Sequence, residues 1–117
     1  MTSSGSPYAR FQRALATGNL NVIRGAAAEL PRIGIAEAAA MLLVIVRCAP
    51  DQYERAAVRW LGRLCLERTR VDLEDLSRAA AALVVLPERP EAARSLLADV
   101  CARAGQSQAA AVFRVAR

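Results

Sequence analysis

The longest nearly uninterrupted apolar stretch of the chain is Ile35–Cys48, IAEAAAMLLVIVRC, in which only Glu37 and Arg47 are charged. A helix that is apolar on every side must be surrounded by protein or by lipid. This run is shorter than the ~20 residues an ordinary membrane span requires. It therefore predicts a central helix, wrapped by its neighbours. Its two charges stand where a helix tolerates them, the acid at the positive N-terminal end and the base at the negative C-terminal end.

On either side the pattern turns amphipathic, with apolar residues at helical spacing and breakers between the runs. Ser6 and Pro7 predict a first helix start, Tyr8, Phe11 and Leu15 its buried stripe, and Gly18 its end. Asn19 caps a second helix with Leu20, Ile23, Ala27 and Leu30 inward, stopped by Pro31. Gly25, among alanines, predicts a side open to close approach. Pro50 breaks the chain, and Asp51 begins a fourth helix, with Asp51 and Glu54 spaced as a capping box. The core stripe of that helix reads Tyr53, Ala57, Trp60, Leu61, Leu64 and Cys65, and Gly62 within it predicts a close crossing or a slight kink.

After a connection over residues 69–72, Asp72 caps a fifth helix with Leu73, Leu76, Ala80 and Leu83 inward and a Glu74–Arg78 pair outside. Pro90 opens a sixth, which turns Ala93, Leu96, Leu97, Val100 and Cys101 to the core, pairs Asp99 with Arg103 and ends at Gly105. A last short helix uses Val112, Phe113 and Ala116. The class is all-α: a compact array of six to seven helices, bundle or short solenoid, around the central helix 35–48. Alternate helix starts lie roughly 32 to 38 residues apart, the period of helix-pair repeats. The tetratricopeptide Trp spacing is absent, and no second copy of Trp60-Leu61-Gly62 occurs. Residues 1–6 read as a loose tail and 7–117 as one domain.

Composition sharpens this picture. Hydrophobic residues make up 55% of the chain but aromatics only 4%, so the core is one of Ala, Leu and Val. All 16 basic residues are arginine, against 11 acids, for a net charge of +5. Arginine replaces lysine along the whole chain rather than in one patch, which reads first as a GC-rich coding background and second as selection for guanidinium groups. Histidine is absent, which excludes histidine-based acid–base catalysis and most zinc sites. Cys48, Cys65 and Cys101 are far apart, without a CxxC, and are expected as buried reduced thiols in a cytoplasmic protein.

The segment GNLNVIRGAAAELPRIGIAEAAAMLL, followed by YERAAVRWLGRL, resembles small, uncharacterised helical proteins of high-GC actinobacteria, over residues 8–104. The resemblance implies an all-helical fold and a genomic background, and no activity.

Candidate chemistry is sparse. A helix-turn-helix formed by residues 22–30 with Ile35–Cys48 fails, because a recognition helix must present polar side chains to base edges and this one is apolar. The carboxylates Asp51, Asp72, Glu74, Asp75 and Glu91 fall at expected helix starts, where the dipole accounts for them; Glu37, in a first turn, reads the same way. No phosphate loop, metal-ligand spacing or nucleophile–base pair is present, so the chain is read as no enzyme, with no cofactor and no small-molecule substrate. What remains is a ridge on the fourth helix: Arg55, Arg59 and Arg63, at i, i+4 and i+8. Asp51 and Glu67 bracket it one turn away and can pair with Arg55 and Arg63, while Arg59 has no acid at i±3 or i±4, so the ridge reads first as a solvated face and second as a binding face. The expected function is a helical protein-interaction module, an adaptor or structural subunit whose partner is another protein or a second copy. The alternative is a non-specific nucleic-acid binder using arginine–phosphate contacts.

Overall fold

A computed structural model describes residues 6–67 and 70–114. Seven helices follow one another: α1 (Pro7–Thr17), α2 (Leu20–Ala27), α3 (Ile35–Cys48), α4 (Pro50–Leu66), α5 (Leu73–Val85), α6 (Pro90–Arg103) and α7 (Ser107–Arg114). No strand occurs among the described residues. The all-α array expected from the apolar pattern is the fold observed. Residues 1–5 of the expected tail 1–6, with Thr69 and Ala116, lie outside the described residues, and Ser6 caps α1.

Local chemistry sets most helix ends. The Ser6 side chain accepts from the Ala9 amide at 3.0 Å, and Pro7 occupies the first helical position. Gly18 closes α1 in the left-handed region, φ 68°, which a side chain would disfavour. Asn19 caps α2 through Oδ1, accepting from the amides of Asn21 (3.0 Å) and Val22 (3.2 Å). Asp72 accepts from the Asp75 amide at 2.8 Å, and this bond holds its carboxyl below the usual carboxylate range. The start of α4 differs from expectation. Pro50 itself is the first helical residue and Ala49 the cap, without a side-chain hydrogen bond, so Asp51 and Glu54 sit inside the helix and form no capping box. Proline needs no amide partner at that position, which lets the helix begin one residue earlier. α2 is also shorter than expected, giving way at Ala28 to a turn before Pro31.

The helices are arranged as a chain that closes on itself. α1 packs on α2, α2 on α3, α3 on α4, α4 on α5, α5 on α6 and α6 on α7, and α7 returns to α3. α3 therefore touches α2, α4 and α7, and no residue from Ile35 to Val46 is exposed. That is the burial an all-round apolar helix demands. One continuous core runs through all seven helices, with Phe11, Ile23, Leu42, Leu64, Leu97 and Phe113 among its fully buried side chains.

Four helices expose part of their expected stripe. Tyr8, Leu73 and Leu96 stand in solvent. Cys48 and Cys65 are exposed as well, and only Cys101 is buried. The expectation of three buried thiols is corrected: Cys48 is the last residue of α3, where its thiol donates to the Gly18 carbonyl at 3.6 Å, and Cys65 stands about 100° round α4 from the buried Leu64. Cys101 lies fully inside, where burial pushes its thiol up to about 11. Gly25 and Gly62 are also exposed, and a Cβ at either would meet nothing within 4 Å. Neither glycine serves a close crossing among the described residues.

Candidate interaction surface

α4 carries the arginine ridge, and its orientation is fixed by two aromatic side chains with polar tips. Trp60 donates its indole N–H to the Ile35 carbonyl at the start of α3 (3.1 Å) and packs edge-on against Phe113 of α7, centroids 5.5 Å apart. Tyr53 donates its hydroxyl to the Leu83 carbonyl in the last turn of α5 (2.6 Å), an oxygen otherwise left without an intrahelical partner. Burial pushes the Tyr53 hydroxyl up to about 12. With Ala57 and Leu64 these residues form the buried line of the helix.

At about 100° per residue, Gly62 stands on the side of α4 directly opposite Tyr53, Trp60 and Leu64. It is flanked one turn away on each side by Val58, 66% exposed, and Leu66, 88% exposed. Arg55 and Arg59 run beside this apolar row and are exposed. Arg63 lies further round the helix, half-buried and paired with Glu67 at 3.7 Å. The expected Asp51–Arg55 pair does not form, and among the described residues Arg55 and Arg59 have no carboxylate partner. The outer face of α4 thus combines an apolar row, a gap at its centre and two free guanidinium groups.

α5 presents a different surface. Its buried residues are Asp75, Ala79, Ala82 and Leu83, so the helix is turned by about one residue's rotation from the expected Leu73–Leu76–Ala80–Leu83 stripe. Asp75, expected as an acid at a helix start that the dipole accounts for, is 2% exposed and accepts from Arg103 Nε of α6 at 3.1 Å, with Arg78 at 3.7 Å. Arg103 therefore reaches across to α5 rather than back to Asp99. The Glu74–Arg78 pair forms as expected, at 3.0 Å. Leu73, 83% exposed, and Val84 are left outside.

Concavities lie away from these two helices. A shallow groove of about 370 Å³ runs between α1 and α2, lined by Ala14, Val22 and Ala26, with Arg10 and Glu29 joined across it at 2.8 Å. A smaller cleft of about 230 Å³ lies where the N-termini of α3 and α7 meet. There Glu37 folds back over the start of its own helix, its Oε1 standing 2.5 Å from where a Cβ of Gly34 would be. A carboxylate at that place complements the helix dipole, and glycine leaves it room. No group of three or more potential metal ligands occurs among the described residues, and no helix there is long and apolar enough to cross a membrane.

No protein family, curated protein or solved structure matches this chain.

Proposed function

We propose that this chain is a small helical protein-interaction module, non-catalytic, which holds another protein on the outer face of α4. The observation that carries this reading is the composition of that face. Val58 and Leu66 stand in water on either side of Gly62, beside two arginines that pair with no carboxylate among the described residues. Single exposed apolar residues are ordinary on protein surfaces, but here they lie in one row on a helix whose other side is fully committed to the core. Mid-helix glycine costs about 1 kcal/mol relative to alanine. Packing inside the chain does not require it, since a Cβ there meets nothing. Arginine beside exposed apolar groups is the composition of a binding face. The arginines alone would serve phosphates equally well. The apolar row favours protein over nucleic acid, because Val58 and Leu66 have nothing to gain against a charged backbone.

The test is photo-crosslinking in cells that make the chain natively, with p-benzoylphenylalanine in place of Val58 or Leu66 and, as control, in place of the exposed Asn21. Discrete protein adducts at 58 and 66 that survive nuclease treatment are expected. They should disappear in the combined Arg55→Gln, Arg59→Gln, Arg63→Gln chain, which retains its helical circular dichroism because the buried line of α4 is untouched. Adducts equal at all three positions, or nucleic acid as the sole adduct, would overturn the reading.

A further inference from the structure

We propose that the outer face of α4 receives an acidic amphipathic helix of another protein, which crosses over Gly62 and sets two carboxylates against Arg55 and Arg59. This rests on α4 being the interaction face and adds the chemistry of its occupant.

Helices pack by seating the side-chain ridges of one in the grooves of the other. Val58, Gly62 and Leu66 form such a ridge, at i, i+4 and i+8, with its middle member missing. The outer two are about 12 Å apart along the axis, which leaves a notch wide enough for one side chain of a crossing helix. A strand would find nothing to pair with, since the backbone groups of α4 are spent within the helix. The charge of the occupant follows from the row alongside. Arg55 and Arg59, one turn or about 6 Å apart, match two carboxylates at i, i+4 on a helix, and guanidinium binds carboxylate in bidentate fashion. Arg63 is already engaged by Glu67.

A second copy of this chain fits less well. An antiparallel crossing at Gly62 would set Val58 against the copy's Leu66, but Arg59 would then face the copy's Cys65. Neither arginine row would meet a carboxylate, and two chains of net charge +5 would be brought together. Charge complementarity selects an acidic occupant.

The experiment is a titration of the ¹⁵N-labelled full chain, read by amide chemical shifts. Three synthetic 18-residue amphipathic peptides share a Leu/Ala face and carry Glu, Gln or Lys along its flank, and a 20-nucleotide single strand is the fourth probe. The Glu peptide is expected to move the amides of residues 55–66, to bind at least tenfold tighter than the Gln peptide and to lose affinity with salt; the Lys peptide should leave α4 unmoved. Gly62→Leu should weaken the Glu peptide at least tenfold by filling the notch, while the thermal midpoint stays or rises, because leucine is the better helix former. Arg55→Gln with Arg59→Gln should reduce the Glu peptide to the level of the Gln peptide.

Equal binding of all three peptides, shifts centred away from α4, tighter binding of the oligonucleotide at α4, indifference to Gly62→Leu, or self-association through α4 without peptide would each overturn the proposal. Protein adducts at positions 58 and 66 with no response to the Glu peptide would remove the acidic helix and keep the interaction face. Absence of both would remove the two together.

Discussion

Helices α4 and α5 are sequence neighbours that pack on each other, yet they are held by opposite means. α4 is anchored by large aromatic side chains whose polar tips reach specific carbonyls: Trp60 to Ile35 and Tyr53 to Leu83. Such a side chain has few alternative seats, so the buried face of α4 is strongly specified. α5 has no aromatic residue. Its core face is built from Ala79, Ala82 and Leu83, and from Asp75, tied to Arg103 of α6. In α4 size chooses the face, with hydrogen bonds completing it. In α5, where alanine and valine surround the helix almost evenly, close packing of small residues and one buried carboxylate choose it, and Leu73 and Val84 are left in solvent.

The aromatic anchor of α4 is its most vulnerable point. Trp60→Ala removes the indole hydrogen bond, the contact with Phe113 and most of a buried side chain. A loss of ~3–5 kcal/mol is expected in urea unfolding, a large part of the ~5–15 kcal/mol that holds a typical domain.

The corresponding lesion in α5 is smaller. Asp75→Ala deletes the buried carboxylate but leaves Arg103 and Arg78 partly exposed and able to return to water, so a loss of about 2 kcal/mol is expected. Pairing it with Arg103→Ala in a double-mutant cycle should show a coupling of about 1 kcal/mol. A coupling of zero would mean that the alanines alone orient α5.

The Tyr53 hydroxyl joins the two helices, and pH reads its contribution. Its folded-state value lies at about 12, above the ordinary value of 10.0. The unfolded chain therefore releases this proton first as pH rises. The stabilisation is complete below pH 10 and is lost between about pH 10 and 12. Tyr53→Phe should cost ~1 kcal/mol at neutral pH and should flatten that part of the alkaline decline. An unchanged decline would place its origin elsewhere.

The mildest probe is thiol labelling of the folded chain. Cys65, on the outer side of α4, and Cys48 should react at rates near those of the denatured chain, whereas Cys101 should react only on unfolding. Slow labelling of Cys65 in the isolated protein would mean that the α4 face is already covered.

Much of the architecture was legible along the chain because the signals involved are local. Ser6, Asn19 and Asp72 offer side-chain oxygens to amides two or three residues away, Gly18 and Gly105 adopt left-handed conformations, and Pro7 and Pro90 sit at first helical positions. None of these depends on what lies across the core. The apolar run Ile35–Cys48 announced a buried helix for the same reason, since every face of it must leave water. The arginine ridge was legible as spacing, and so were the Arg63–Glu67 pair and an Arg59 without an acid one turn away; only Arg55, placed within reach of Asp51, came out differently.

Tertiary packing decided the rest. Hydrophobic period selects a face only where large apolar residues are confined to one side, as in α4. In α5 alanines and valines run nearly all round, and the energy differences between rotations are small. The helix turned to where its alanines could approach α6 and Asp75 could meet Arg103, a residue 28 positions away along the chain. The outward Gly62, read in sequence as a crossing or kink, became a gap on an exposed face for a related reason. Trp60 and Tyr53 claim the opposite side of α4, and an amphipathic helix at the surface, unlike α3, has only one side to give its core.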